Sequence, residues 1–250
     1  MNKNDTRASV AMAVYNGEKY LKCQIESIKS MMSDKDELVI SYDTSSDDTL
    51  KIINGYAMAD KRIKVFKNVM SKGVSGNFTN AALHTNGKYI LFSDQDDIWF
   101  GNKIEEMIEC MQLNNADLVI HDGYFTDQNL VIKGKSIFEN KNPTTNPIIN
   151  FIQGRFLGCC TCIKREMLFY LLPFPDITND FPHDIYMEIV CAIKGKVVTL
   201  NKPMIYHRIH ERNATPKKRN SLPKIVFSRM LLFYEISKTL FRNKLYLKGA

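Results

Sequence analysis

Four consecutive residues pose the chemical question. Asp94-Gln95-Asp96-Asp97 follow the apolar run at residues 88–92 after the single residue Ser93. In extended chain, residues two apart face the same way, so Asp94 and Asp96 project together from a strand end. Two carboxylates so placed repel each other unless a positive group lies near them, and a divalent cation meets that need. Magnesium or manganese takes oxygen ligands, usually one or two from protein and the rest from phosphate and water. The same four residues also suit a solvated acidic turn that caps the following helix.

Three further groups carry candidate chemistry. Asp43, at the end of a second predicted strand, can accept from a base imide N–H or a ribose hydroxyl. Tyr15, at the end of the first strand, can stack on a base. Loop capping and a core-edge tyrosine are the structural alternatives for these two. Asp184, in Pro182-His183-Asp184 before an apolar helix, suits either a helix N-cap or a general base. The segment from Tyr206 to Asn213 brings together His207, Arg208, His210 and Arg212, which suit phosphate or metal. The His207–His210 spacing suits a helix face, and without an HExxH pattern a zinc hydrolase is not indicated.

The elements that must position these groups follow from periodicity. Apolar runs at residues 8–14, 37–41, 62–66, 88–92 and 117–121 read as strands, with helical spacing between them. That alternation predicts an α/β fold with a mostly parallel sheet covered on both faces, and ligands outside the carboxyl ends of the strands. The loops at Tyr15, Asp43 and Asp94 all follow strands and should gather along one edge. The second half is less regular. It holds a Pro/Asn/Thr loop at 141–147, a Gly- and Cys-rich stretch at 151–163, a helix at 183–194 and a short strand at 196–200.

Composition bounds the class. With 250 residues, 44% hydrophobic and 24% charged, the chain is globular and long enough for a substantial core. The net charge of +7 owes much to the last forty residues, in Lys217, Lys218, Arg219, Lys224, Arg229, Lys238, Arg242, Lys244 and Lys248. Such charge suits nucleic acid, an anionic membrane or a phosphorylated small molecule. No nucleic-acid-binding module or interleaved aromatic pattern accompanies it. Residues 222–241 are apolar and basic, and suit a helix that either packs on the body or a partner chain or lies in a membrane interface. No apolar run reaches the ~20 residues needed to span a bilayer. The six cysteines have no repeating spacing and the N-terminus does not read as a signal peptide, so free thiols in a reducing compartment are expected. Cys159, Cys160 and Cys162 read as buried small side chains rather than a zinc site.

In order along about residues 7 to 213, several segments resemble glycosyltransferase family 2, with the GT-A fold, above all its rhamnosyltransferase-like bacterial branch. They run from Ser9 to Tyr20, from Asp36 to Thr49, and from Gly87 to Trp99 with the pattern Asp94-Gln95-Asp96. Gly158-Cys159-Cys160, His183-Asp184 and Tyr206 to His210 follow. The resemblance implies a single Rossmann-like GT-A catalytic domain over residues 1–215. Its nucleotide-binding half would be about 1–120 and its acceptor-binding half about 121–215, followed by a basic amphipathic helical tail over 216–250. It implies that Tyr15 and Asp43 line the nucleobase pocket and that Asp94 faces the ribose. Asp96 and His210 would hold Mg2+ or Mn2+ on the diphosphate, with Asp97 and His183 in support. Arg208 and His210 would close over the donor phosphates, Asp184 would be the catalytic base, and Gly158, Cys159 and Cys160 would lie near the acceptor.

The implied reaction is inverting sugar transfer from a dTDP- or UDP-sugar to a saccharide or lipid-linked acceptor hydroxyl. It would serve capsule or O-antigen type polysaccharide, in the cytoplasm or peripherally at the inner face of an anionic membrane. Two positions depart from the family pattern. Tyr42 and Thr44 stand where relatives commonly carry an acid and a glycine, and threonine resists positive φ, so this loop is expected to be rebuilt. At His207 little constraint is expected. A non-catalytic nucleotide-sugar-binding protein on the same fold is the alternative that the altered loop suggests. A nucleotidyltransferase would carry a Gly-rich phosphate loop, which Tyr15-Asn16-Gly17-Glu18 is not.

Overall fold

The computed structural model describes residues 5–175, 183–211 and 221–248. Strand β1 (Ala8–Val14) lies at the centre of the N-terminal half. Its Ala8, Val10, Ala11 and Met12 have no exposed surface, as expected of a strand covered on both faces. β2 (Asp36–Tyr42), β3 (Ile63–Lys67) and β4 (Tyr89–Ser93) join it in the order β3-β2-β1-β4, all parallel. The connections run through α1 (Leu21–Lys29), α2 (Thr49–Ala59) and α3 (Val74–Leu83). Val14 pairs with Tyr42, and Met12 with Ser93. The three strands therefore end nearly level, and Tyr15, Asp43 and Asp94 emerge at one edge, as the alternation predicted.

Beyond β4 the sheet departs from the expected parallel series. The strand expected at 117–121, here β6 (Leu118–Thr126), is not the neighbour of β4. β8 (Thr161–Lys164) lies between them, antiparallel to both. β6 then pairs in parallel with β9 (Val197–Arg208). The two-residue β5 (Ile98–Trp99) closes that edge, and β7 (Ile132–Ser136) pairs with β6, making nine strands among the described residues. Because β8 is reversed, β6 and β9 point the same way as β4. Their carboxyl ends therefore open on the edge that carries Asp94.

The strand expected at 196–200 is corrected by this pairing. It continues to Arg208, with register shifts near Asp122 that let twelve residues follow the twisted β6. Met204 and Ile205 are buried in it. His207 and Arg208 therefore end a strand and point to opposite faces. The helix-face reading of His207 and His210 is wrong: local spacing did not carry the long-range pairing that makes this segment extended.

The remaining helices are α4 (Lys103–Asn114), α5 (Ile137–Lys141), α6 (Pro147–Ile152), α7 (Leu168–Leu171), α8 (His183–Lys194) and α9 (Leu222–Lys248). The polar loop before residue 147 starts α6: Asn146 Oδ1 accepts from the Ile148 N–H at 2.9 Å, and Pro147 occupies the first helical position. The tail helix α9 is docked on the body along one side. Its Leu232, Ile236 and Thr239 are buried, and Thr239 Oγ1 lies 2.7 Å from Tyr186 Oη of α8. All six cysteines are free thiols, five of them buried. Among the described residues no helix is long and apolar enough to cross a membrane.

Candidate active site

The loops after β1 and β2 are sewn together. Asn16 N–H donates to Ser45 Oγ at 3.0 Å, and Asn16 Oδ1 accepts from Ser46 N–H at 2.9 Å. Gly17 N–H donates to Thr49 Oγ1 at 2.8 Å. The loop needs no positive φ at Thr44: Asn16, with φ 47°, is the residue here in the left-handed region. This removes the steric objection to threonine. Asp43 is tied to the next loop, its two carboxylate oxygens accepting from Asn68 Nδ2 at 2.8 Å and Gly73 N–H at 3.0 Å. Tyr15 presents an exposed ring at the open edge.

Gln95, which sequence reasoning passed over, holds Tyr15 in place. Its Oε1 accepts from Tyr15 N–H at 2.9 Å, and its Nε2 donates to Tyr15 O at 2.8 Å. The side-chain amide thus mimics a neighbouring strand. The absent side chain at Gly17 makes room for it, since a Cβ there would lie 2.5 Å from Gln95 Oε1.

The end of β4 and the end of β9 meet at the acidic motif. His210 Nε2 lies 2.7 Å from Asp96 Oδ2. Arg208 is buried, its Nε donating to Asp96 O at 2.8 Å and its Nη1 to Gln128 O at 2.5 Å. Its guanidinium stacks 4.4 Å over the Tyr20 ring, which also lies 5.0 Å from His210. Asp97 is fully buried. Its Oδ1 accepts from Arg208 N–H at 3.1 Å and lies 3.0 Å from His207 Nδ1. Burial works against charge on both partners, yet the Asp97 carboxylate raises the His207 pKa to about 10, and His207 holds Asp97 below its ordinary value. The expectation of little constraint at His207 is thus overturned: its half-buried side chain is the counter-ion of a fully buried carboxylate. Nothing in local sequence marked it, because its partner lies on another strand.

Lys103, at the start of α4, is a second cation that sequence reasoning missed. It is buried, donates to Cys159 O at 2.7 Å and lies 3.8 Å over the Trp99 ring. Burial pulls its pKa down to about 8.

Across the motif lie the residues expected near the acceptor. Gly158, Cys159 and Cys160 form a buried 3-10 turn leading into β8. A Cβ on Gly158 would stand 3.0 Å from His183 Nε2 and 3.4 Å from Asp184 Cβ, so the turn and the start of α8 are in contact. The His183 ring packs between Phe78 and Phe174, at 4.7 and 5.7 Å, and burial lowers its pKa. Asp184 is half-buried in the first turn of α8, its Oδ1 accepting from Ile185 N–H at 2.9 Å. Its charge reaches Asp94, whose carboxyl is raised to about 7 by burial and then by Asp97, Asp96 and Asp184. Pro182, Arg212 and Asn213 lie outside the described residues.

Among the described residues, two donor sets suit a cation. Asp94, Asp97, Cys159 and His207 bring ligand atoms within 4.8 Å of one another. There the imidazole and Asp97 already neutralise each other, and the Cys159 thiol is raised well above its ordinary range by Cys160 and burial. Asp96 with His210, 2.7 Å apart, offers an oxygen and a nitrogen at the end of the same motif. Burial and the carboxylates crowded around Asp94 raise its pKa, and a divalent cation near them would relieve their repulsion, so the residues present fit such a cation.

Residues 9–170 match the family described as Glycosyl transferase family 2. The chain belongs to that family and is a glycosyltransferase with the GT-A fold. It is 31% identical over 199 residues to UDP-Glc:alpha-D-GlcNAc-diphosphoundecaprenol beta-1,3-glucosyltransferase WfgD of Escherichia coli, covering 79% of this chain and 74% of that one. It is 30% identical over 218 residues to dTDP-rhamnosyl transferase RfbG of Shigella flexneri, covering 81% and 72%. Among solved structures, S. aureus TarS 1-349 in complex with UDP-GlcNAc superposes with a TM-score of 0.72 at 19% identity, over 90% of this chain and 65% of that one. The mannosyltransferase PcManGT from Pyrobaculum calidifontis, in complex with GDP-Man and Mn2+, gives 0.62 at 17% identity, over 83% and 58%.

Proposed function

We propose that this protein transfers a sugar from a nucleoside diphosphate donor to an acceptor hydroxyl with inversion, in the assembly of a cell-surface polysaccharide. The observation that carries the reading is the meeting of Asp96 and His210, 2.7 Å apart, on the strand edge that also bears Asp94, with Asp184 against the Gly158 turn and close enough for its charge to be felt at Asp94. Tyr15 and Asp43 would receive the base, and Asp94 the ribose. Asp96 and His210 would hold Mg2+ or Mn2+. A cation there supplies neutralisation of charge on the leaving diphosphate. The Mn2+ named for PcManGT supports a divalent cation on this fold.

Asp184 takes the acceptor hydroxyl proton as that oxygen attacks the anomeric carbon from the side opposite the diphosphate. The glycosidic C–O bond to phosphate breaks, and the nucleoside diphosphate leaves with the bonding pair. His183, buried against Phe78 and Phe174, holds the start of α8 against the Gly158 turn and so sets the reach of Asp184. The names of WfgD and RfbG support a UDP- or dTDP-sugar donor. That of WfgD supports a lipid-diphosphate-linked saccharide acceptor, met at the cytoplasmic face of a membrane on which the basic tail rests.

A donor panel tests the reading. Purified protein is incubated with Mn2+ or Mg2+ and nucleotide sugars, and nucleoside diphosphate release is followed with and without EDTA. Release from one donor, lost with EDTA and in Asp96→Ala, is the expected result. Nucleotide binding without release from any donor, even with acceptor extracts, would favour the non-catalytic binding protein instead.

A further inference from the structure

Helix α9 is apolar on two sides. One side is buried on α7 and α8 through Leu232, Ile236 and Thr239. On the other, Val226, Met230 and Phe233 each leave more than half of their surface exposed. A soluble helix normally shows one apolar stripe and a polar remainder, so a second stripe needs a second apolar neighbour. Helix α6 does not supply it. It turns Ile152 outward beside α9, and Ile148 and Ile152 are also more than half exposed. The two helices form the walls of an apolar groove of about 580 Å³, lined by none of the strand-end residues.

Charge indicates what covers this surface. Residues 216–250 contain nine lysines and arginines against the single acid Glu235, more than the whole-chain net charge of +7. Lys224 and Lys238 are exposed on the helix that carries the stripe. Arg229 lines the groove itself. Its Nη2 donates to Ile152 O at 3.3 Å, while its Nε is buried without a hydrogen-bond partner among the described residues. A second copy meeting this face across a twofold axis would bring like charges together. An apolar stripe rimmed by cations suits the acyl and headgroup layers of an anionic membrane.

We propose that α6 and the first half of α9 together form the surface by which this protein rests on an anionic bilayer, with a lipid hydrocarbon chain seated in the groove between them. This deepens the membrane contact of the proposed function and depends on it. The surface is tied to the proposed base. Asn150 of α6 is fully buried, donates to Thr144 O at 2.5 Å and is hydrogen-bonded to Glu188. Glu188 stands one helical turn beyond Asp184 on α8, so α6 links the membrane face to the helix that presents the base.

The test is co-sedimentation of the full chain with phosphatidylcholine vesicles, with and without phosphatidylglycerol, for wild type, Ile152→Glu, Phe233→Glu and Phe233→Ser. Thermal unfolding checks the fold, and sedimentation velocity gives the oligomeric state. Wild type is expected to bind the anionic vesicles, more weakly at high salt. Ile152→Glu and Phe233→Glu are expected to bind at least about tenfold more weakly, as the loss of one buried apolar side chain implies. Phe233→Ser covers the case in which the glutamate is not tolerated. Wild type that ignores anionic vesicles would remove membrane contact altogether. Wild type that binds, with groove variants binding equally well, would leave tail contact standing and overturn the groove. A wild-type dimer dissociated by the same substitutions would assign the face to self-association and overturn the proposal.

Discussion

His207 Nδ1 lies 3.0 Å from Oδ1 of the fully buried Asp97, next to the half-buried pair of Asp96 and His210. Two consecutive carboxylates thus have separate partners. The inner one is neutralised by a histidine at the end of β9. The outer one meets the imidazole three residues further along the chain. Arg208, between these histidines, binds the backbone of the motif at Asp96 O. The end of β9 therefore holds the acidic turn from inside, leaving the outer pair for a ligand.

Breaking the inner pair should be costly, because it leaves a buried charge unpaired. His207→Gln is expected to destabilise the protein by about 3 kcal/mol near pH 6.5, and the double variant with Asp97→Asn to recover part of that loss. The His207 pKa is raised, from 6.5 to about 10, so the pair contributes fully below pH 6.5 and loses its contribution as pH rises toward 10. Thermal unfolding in EDTA should therefore show wild type losing more stability than His207→Gln over that window. Parallel pH profiles for the two would count against a charged His207.

The outer pair should govern metal. Mn2+ binding measured by calorimetry in the presence of nucleoside diphosphate is expected to weaken by about a hundredfold in Asp96→Ala or His210→Ala. Thermal unfolding of each variant separates loss of a ligand from loss of packing, since both side chains are largely covered. Metal affinity unchanged in both variants, but lost in Cys159→Ser, would move the site to the buried set.

Asp184 should matter for turnover rather than donor binding. Asp184→Asn is expected to lower kcat by at least about a hundredfold while leaving donor affinity within about threefold, since a base interacts with the reacting hydroxyl alone. A large loss of donor affinity would contradict that role.

Gln95 gives a milder test. Gln95→Ala removes two hydrogen bonds to the Tyr15 backbone, together worth about 2 kcal/mol, and frees the residue proposed to receive the base. The donor KM should rise roughly fivefold, a part of that energy, with kcat nearly unchanged. Gly17→Ala should act in the same direction by displacing the Gln95 amide.

Much of this was legible in sequence because it is local. A run of small apolar residues from Ala8 to Val14 makes a strand buried on both faces. Polar loops follow three such strands, so Tyr15, Asp43 and Asp94 share an edge once the strands are parallel. The spacing of Asp94 and Asp96 suggests a shared direction, but the turn after β4 groups Asp94 with Asp97 instead. The tertiary structure decided what depends on long-range pairing. β8 reverses and separates β4 from β6, and β9 runs on to Arg208 along β6. That carries His207, Arg208 and His210 to an acidic turn more than a hundred residues earlier in the chain. No periodicity within residues 206–210 encodes this meeting, because a strand's partner is set by burial and register across the sheet rather than by its own residues.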